Sequence, residues 1–317
     1  FQTLQSSKDK PMYNRATLGA YPLASTIKPF IALQGLDTQT ITPSFKISDP
    51  GWFKLENTSH TYRDWAYQGH GIVNVTKAII VSCDTFFYTL AVELGIEKIN
   101  NILNRFGFGN KTKVDIGEEN SGIVASPKWK QKNKGEYWYM GDTIISSIGQ
   151  GFMLATPLQL ANGTAAIAMR GKRFQPHLLL ANKKHDGVLT KQEPVLFPPV
   201  ILKDANNWDI VIDAMQKVIT LPQGTGRRRF GSDSKYTVAG KTGGAQLYHH
   251  KIVNENPTPE SEKNTPKHLR NHSLFIAFAP VENPKIAVAV IAENSIIAPQ
   301  VARKVLDYYL ETQKHAG

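Results

Sequence analysis

The chain is poor in cysteine, in acid and in long apolar runs. Its 317 residues hold one cysteine, Cys83, so no internal disulfide can form and a disulfide-built scaffold is excluded. No run of eighteen apolar residues occurs, so no segment reads as a membrane-spanning helix. Acidic residues number 26 against 37 Lys and Arg, a formal charge of +11. That balance raises nucleic acid first. Yet the basic residues are scattered, apart from Arg227-Arg228-Arg229 and Lys128-Trp129-Lys130-Gln131-Lys132, and no helix-turn-helix, zinc-finger or RNA-binding signature accompanies them. No nucleic-acid partner is therefore expected, and a basic surface facing an anionic polymer or acidic lipid heads fits better. Internal repeats and low-complexity tracts are also missing. The chain opens at Phe1 with neither Met nor a signal-like segment, which reads as a fragment or processed form with room for an anchor before it.

What is present is ample for a core: 41% of residues are hydrophobic, enough for one large domain or two modest ones. Ser25 to about Leu36 reads as an apolar helix with Pro29 in its first turn, where a missing amide proton costs little. A polar, turn-rich stretch follows, through Asp49-Pro50-Gly51 to Gly69-His70-Gly71. Helices are expected over Asn74 to Cys83 and over Thr85 to Leu94, the second ending at Gly95. Phe106-Gly107-Phe108-Gly109 breaks the pattern, and Asp115 to Trp129 reads as loop. Thr156-Pro157 is a strong helix start, with Thr as cap and Pro at the first helical position. That helix runs to Arg170 and stops at Gly171, and another follows Trp208 to Ile219. Beyond it the character changes to β-rich runs at Tyr236 to Ala239, Leu274 to Ala279 and Ile286 to Ala292. A long polar loop, His249 to Asn271, intervenes, and a last helix covers Val301 to about Thr312. The order implies an α+β fold, an antiparallel sheet packed against helices.

Three short strings carry the chemistry: Ser25-Thr26-Ile27-Lys28, Ser82-Cys83-Asp84 and Lys241-Thr242-Gly243. In a helix starting near Ser25, positions i and i+3 share a face, so the Lys28 amine can reach the Ser25 hydroxyl. That is an activated serine nucleophile with lysine as general base. The amine must be neutral to take the proton, which burial and a neighbouring cation such as Lys241 favour. The cation and hydroxyl of Lys241-Thr242, expected on a strand or at its end, suit a substrate carboxylate, and Gly243 lets the backbone come close. Accidental placement of surface Ser and Lys, with Ser82 and Asp84 as helix caps, is the bland alternative. The order of all three strings argues against it.

In that order, S-x-x-K, S-x-(N/D), K-T-G, the strings resemble the acyl-serine transferases that react with penicillin, the penicillin-binding proteins and serine β-lactamases. Beyond the strings, Asn14-Arg15-Ala16-Thr17, Asp49-Pro50-Gly51-Trp52, Tyr62-Arg63-Asp64-Trp65, Gly69-His70-Gly71 and Asp84-Thr85-Phe86-Phe87-Tyr88 resemble elongation-type class B penicillin-binding proteins. So do Gly141-Asp142-Thr143, Gly149-Gln150-Gly151, Thr156 to Gln159, His272 to Pro280 and Ile286 to Asn294. The resemblance implies a transpeptidase fold, an antiparallel five-stranded sheet flanked by helices, over residues 1–317. It also implies a membrane anchor and most of a pedestal domain lying outside this chain, and a place on the periplasmic face of a bacterial inner membrane.

The implied reaction is D,D-transpeptidation of peptidoglycan stem peptides during cell elongation, inhibited by β-lactam antibiotics. Ser25 attacks the penultimate D-Ala carbonyl, and an amine of a neighbouring stem resolves the acyl-enzyme. Ser82 relays a proton to the leaving amine. Asp84 stands where many relatives carry Asn and holds Lys28 or contacts the substrate amide. The oxyanion is held by the amides of Ser25 and Gly244. Many relatives carry Thr at the position of Gly244, so a hydroxyl that binds the carboxylate is lost. No cofactor is implied for catalysis. A shape-determining glycan polymerase and scaffold proteins, reached through the pedestal, are the implied partners.

Asp49, Asp64, His70 and Cys83 are all metal-ligand types, and one Cys, one His and two carboxylates would complete a tetrahedral zinc shell. A structural zinc would staple the Gly/Pro-rich stretch between them and explain a thiol kept in an oxidising compartment. The alternative is a buried Cys, a surface His and two turn-capping Asp residues. For the chain as a whole, a serine β-lactamase, a D,D-carboxypeptidase, or a β-lactam sensor or inactive scaffold shares the strings. No separate Glu motif supplies a deacylation base. Arg227-Arg228-Arg229 reads as a solvated loop or a substrate-facing run, and Trp52, Trp65 and Trp138 as packing residues.

Overall fold

The computed structural model describes residues 1–7, 9–183, 185, 188–246, 266, 268 and 270–312. Most of the polar segment expected to form a loop, 249–271, lies outside them. A 3-10 turn over Ala24–Ile27 leads directly into helix α1, Lys28–Asp37. Pro29 sits in its first turn as expected, and every residue of α1 is buried, the pattern of a helix enclosed on all sides. The turn-rich stretch after it holds four short strands: β1 (Lys46–Asp49), β2 (Trp52–Lys54), β3 (Thr61–Arg63) and β4 (Gly71–Asn74). β1 pairs with β4 and β2 with β3, both antiparallel.

Helix α2, Val75–Ile80, is capped by the Asn74 side chain, which accepts from the Lys77 amide. Helix α3 runs from Asp84 to Phe106. The expected stop at Gly95 is a kink instead, with Gly95 at φ 70° and ψ 163°. The helix resumes because Ile96, Ile99, Ile102, Leu103 and Phe106 continue the apolar spacing and are buried. The stretch read as loop up to Trp129 is likewise corrected: α4 spans Pro127–Lys134. Ser126 caps it by accepting from the Trp129 amide, with Pro127 at the first helical position. This is the same start signal as at Thr156-Pro157. Helices α5 (Met140–Ser146), α6 (Pro157–Ala168), α7 (Asn206–Thr220) and the short α8 (Arg227–Phe230) follow. At α6 the expected cap is present, reinforced by Gln159 Oε1 accepting from the Thr156 amide.

The sheet is formed by β5 (Ala239–Ala245), β6 (His272–Ala279) and β7 (Ile286–Ala292), antiparallel in that order. Two expectations change here. Among the described residues the sheet has three strands rather than five. The strand expected at Tyr236 to Ala239 starts instead at Ala239 and carries Lys241-Thr242-Gly243 in its middle. Glycine and lysine have little strand preference of their own, and register with β6, Lys241 opposite Ile276 and Gly243 opposite Leu274, decides the matter. From Leu274 to Ala279 every β6 residue is buried, so both faces of the central strand are covered. Helices α6, α7 and the last helix, α9 (Ala298–Thr312), pack on this sheet. Phe275 stacks on Phe230 of α8 with centroids 5.5 Å apart, and a fully buried Phe is worth roughly 1.5–3 kcal/mol. The lead-in to Ser25 is tied to the end of β7: Tyr21 Oη and Arg15 Nε both donate to Glu293 Oε1, at 2.5 and 3.0 Å.

Candidate active site

The three strings converge on one hydroxyl. Lys28, the first residue of α1, is fully buried. Its Nζ donates to the Ser82 carbonyl at 2.8 Å, contacts Ser82 Oγ at 3.2 Å and pairs with Asp84 Oδ1 at 2.5 Å. Lys241, equally buried, reaches the same Ser82 Oγ from β5 at 2.8 Å and donates to its neighbour's carbonyl, Thr242 O, at 3.0 Å. Ser82 thus bridges two lysines, one from α1 and one from β5.

Burial drives Lys241 well below the ordinary lysine range, helped by the Lys28 charge and opposed by Asp84. The sequence argument assigned the pressure towards a neutral amine to Lys28. The structure places that pressure on Lys241 as well as bringing Lys28 against the Asp84 carboxylate. Ser25 is half-buried in the 3-10 turn, and among the described residues its hydroxyl makes no hydrogen bond. The expected approach of Lys28 to Ser25 is therefore not made in this conformation.

Local geometry explains how the strings are held. Ala24 and Ser82 both have positive φ, 48° and 57°, a backbone state that non-glycine residues adopt only when their surroundings enforce it. At Ala24 the enforcement comes from Gly149, whose carbonyl accepts from the Ala24 amide at 2.8 Å. A Cβ on Gly149 would lie 2.3 Å from the Ala24 carbonyl oxygen, so only glycine fits. On β5, a Cβ at Gly243 would meet Thr26 Cγ2 at 3.0 Å. The glycine of the third string thus lets the strand lie against the Ser25 turn. Gly244 differs, because a Cβ there would meet nothing within 4 Å.

At Ser82-Cys83-Asp84 the helix cap is Cys83, whose Sγ accepts from the Phe86 amide at 3.4 Å. Asp84 opens the first turn of α3, where a carboxylate is favoured by the helix dipole. Its second oxygen accepts from the Trp65 amide at 3.3 Å. Trp65 is more than a packing residue. Its indole N–H donates to the carbonyls of Val81 and Ser82 at 3.0 and 3.1 Å, and its side chain stays half-exposed. Gln150 Nε2 donates to the Gly244 carbonyl at 3.1 Å, tying the Gly149-Gln150-Gly151 loop to β5. Thr225 Oγ1 lies 2.7 Å from Thr242 Oγ1. Composition and spacing single out none of these three contacts, although Gly224-Thr225-Gly226 and Gly149-Gln150-Gly151 are both visible as turn signals. Of Arg227-Arg228-Arg229, Arg228 and Arg229 are exposed in α8, and Arg227 Nη1 donates to the Thr220 carbonyl. It is the turn before them that meets β5.

Asp49, Asp64, His70 and Cys83 are brought together as expected, each offering a donor atom within 4.8 Å of the others. They come from the end of β1, the residue after β3, the loop before β4 and the cap of α3. Asp49 Oδ2 lies 2.8 Å from His70 Nδ1 and 3.3 Å from Cys83 Sγ. Asp64 accepts from the amides of Ala66 and Thr85 at 3.0 Å each. Burial and the nearby Asp84 charge raise its pKa. His70 Nε2 is buried with no partner among the described residues. Two carboxylates, a thiol and an imidazole packed this closely, one with an orphaned nitrogen, fit a cation better than they fit one another.

Comparison with known proteins gives a consistent result. Residues 2–307 match the model of the penicillin binding protein transpeptidase domain. The peptidoglycan D,D-transpeptidase MrdA of Haemophilus influenzae is 41% identical over 316 residues, 98% of this chain and 47% of the relative. The chain thus spans about half the length of the curated relatives it matches. The crystal structure of Pseudomonas aeruginosa PBP2 in complex with WCK 5153 is similar at TM-score 0.82 and 40% identity, over 97% of this chain and 65% of that one. The complex between PBP2 and MreC from Helicobacter pylori is similar at TM-score 0.83 and 32% identity, over 98% and 53%.

Proposed function

The chain belongs to the penicillin-binding protein transpeptidase family, and on that footing we propose that it cross-links peptidoglycan stem peptides through a Ser25 acyl-enzyme during cell elongation. The observation that carries the reading is the Ser82 hydroxyl held between Lys28 and Lys241. It joins the string that supplies the nucleophile to the strand that would receive the substrate. Ser25 Oγ attacks the carbonyl of the penultimate D-Ala as its proton passes to Lys28. For this, Lys28 first gives a proton through Ser82 Oγ to Lys241, whose burial favours the neutral amine, and then turns from Ser82 and Asp84 towards Ser25. The developing oxyanion is held by the amides of Ser25 and Gly244. The C–N bond to the terminal D-Ala breaks, and the leaving amine takes a proton relayed through Ser82, with Lys241 as its neighbour. An amine from a second stem then attacks the Ser25 ester, loses a proton and frees the serine.

In this reading Thr242 and Lys241 bind the carboxylate of the donor peptide, and β-lactams acylate Ser25 in its place. Asp49, Asp64, His70 and Cys83 hold a structural zinc. When bound, it fixes the β1 to α3 segment and so the turn that presents Ser82 and Asp84. Residues 1–317 form the transpeptidase domain of a protein at the periplasmic face of the inner membrane, working with a glycan polymerase and with a scaffold such as the MreC of the Helicobacter pylori complex. Among the described residues no helix is long and apolar enough to cross a membrane.

The test is reconstitution with pentapeptide stems and an amine acceptor. Stoichiometric release of D-Ala with formation of cross-linked dimer is expected, and both are lost in Ser25→Ala. D-Ala release without dimer at saturating acceptor would make the protein a carboxypeptidase instead.

A further inference from the structure

We propose that Thr225, a residue outside the three strings, is a specificity-determining partner of Thr242 that sets the direction of the Thr242 hydroxyl towards the substrate carboxylate. The inference rests on the transpeptidase reading and deepens it at one subsite. Along β5 the sequence is Ala-Gly-Lys-Thr-Gly-Gly-Ala, so Thr242 carries the only side-chain hydroxyl on the strand. The position of Gly244 adds none. An anion meeting this strand therefore finds one hydroxyl donor beside the Lys241 amine. A hydroxyl has a single proton and a free rotor. If that proton turns to a backbone carbonyl, the subsite presents oxygen to an anion.

Thr225 removes that freedom. Its Oγ1 is 2.7 Å from Thr242 Oγ1, and among the described residues neither hydroxyl makes another hydrogen bond. In such a pair one proton lies between the oxygens and the other points away. With Thr225 donating to Thr242, the Thr242 proton is the free one, aligned for an anion and polarised by the bond it accepts. The strength of a hydrogen bond to a charged acceptor makes this the favoured sense once a carboxylate is present.

The turn that presents Thr225 is built for fixed placement. The Thr225 amide donates to the Ile80 carbonyl at 3.2 Å, at the end of α2, two residues before Ser82. The Gly226 amide donates to the Val218 carbonyl at 3.0 Å and the Gly224 amide to Leu221 at 2.9 Å. A Cβ on Gly224 would lie 2.3 Å from the Val218 carbonyl oxygen, and one on Gly226 2.7 Å from Ile219 Cδ1. Side chains on either flank would push Thr225 off β5. Thr225 is thus a positioning residue, acting on substrate through Thr242, and its anchor on Ile80 links the subsite to the Ser82 turn.

The experiment compares acylation of Ser25 in the full protein by benzylpenicillin and by its methyl ester, which lacks the charge. Thr225→Val keeps the shape and deletes the hydroxyl, and Thr225→Ser restores it. The acid-to-ester ratio of second-order acylation rates is expected to fall about tenfold in Thr225→Val, the scale of one hydrogen bond to a charged group, and to recover in Thr225→Ser. A purely structural role would lower both rates together and leave the ratio where it is, which would overturn the proposal. No change in either rate would overturn it too. If Thr225→Val does not fold, Thr225→Ala is judged by the same ratio. Wild-type protein that neither reagent acylates would sink the transpeptidase reading itself, an outcome distinct from a ratio that fails to move.

Discussion

Lys28 and Lys241 share one oxygen, with their amines 3.2 and 2.8 Å from the Ser82 hydroxyl, and only Lys28 has a carboxylate partner, Asp84. Two buried amines beside one carboxylate cannot both be charged without cost. The burden falls on Lys241, which burial and the Lys28 charge hold towards its neutral form. On the proposed mechanism, an amine pushed towards neutrality at 2.8 Å from Ser82 Oγ favours a proton relay through that hydroxyl.

This arrangement has a stability signature. The folded-state pKa of Lys241 lies below its unfolded value of 10.5. Between the two, the unfolded chain binds the extra proton, so the penalty from Lys241 shrinks as pH rises. Lys241→Met is expected to be inactive and more stable than wild type at pH 7, with the advantage narrowing as pH climbs towards 10. Denaturant unfolding of both proteins across that range checks it.

Gly244 stands in open space, unlike Gly149, where a Cβ would lie 2.3 Å from the Ala24 carbonyl oxygen, and Gly243, where it would press on Thr26 Cγ2 at 3.0 Å. Gly244→Thr is therefore expected to fold normally and to add a second hydroxyl donor beside Thr242. Acylation by a carboxylate-bearing β-lactam should rise about three- to tenfold, the scale of one added hydrogen bond. Stopped-flow acylation rates would show it.

The cluster of Asp49, Asp64, His70 and Cys83 yields its own prediction. Protein purified without chelator is expected to carry about one zinc per chain, matching a four-donor shell. Removing the metal should lower the melting temperature and slow acylation together, because the β1 to α3 segment carries Trp65 and Ser82. Cys83→Ser is expected to lose the metal. Elemental analysis with thermal melts tests this, and zinc-free protein of full stability would contradict it.

Glu293 gives a separate acid limb. Burial opposes its ionisation, but hydrogen bonds from Tyr21 and Arg15 outweigh burial and lower its pKa from 4.5. A depressed carboxylate contributes stability above its unfolded pKa and loses it as pH falls through the folded value. The Glu293 side chain is 37% exposed, so solvent screening limits the contribution to about 0.5–1 kcal/mol. Glu293→Gln is expected to be less stable than wild type at pH 7 and to converge with it below pH 4.5. Urea unfolding at a series of pH values reads this out.

The sequence showed the centre of the site and not its supports. Lys28, Ser82, Asp84 and Lys241, which the structure brings together, were visible in the order of the three strings, while Ser25 lies in the turn before Lys28 without the contact expected between them. Trp65, Gln150 and Thr225 were not, because each acts through a hydrogen bond to backbone or to another side chain far along the chain, and no spacing rule encodes such a partner. The donor set of Asp49, Asp64, His70 and Cys83 was visible as residue types, while its closeness depends on β1 pairing with β4. The α6 start was read correctly from Thr156-Pro157. The identical signal at Ser126-Pro127 opens a stretch of charged residues with little apolar periodicity, which hides the helix in the sequence. At Gly95 the sequence predicts a terminus where the structure has a kink, because periodicity cannot distinguish the two. K-T-G does lie on a strand, but the bounds read at Tyr236 to Ala239 are too early, because its residues have weak strand preference and pairing with β6 sets the limits.

The most direct test of the account is intact-mass spectrometry after incubation with benzylpenicillin, comparing wild type with Ser25→Ala. A single stable adduct on wild type, absent from the variant, is the expected result and makes Ser25 the nucleophile. An adduct that persists in Ser25→Ala, or wild-type protein that takes up none, would contradict the account at its centre.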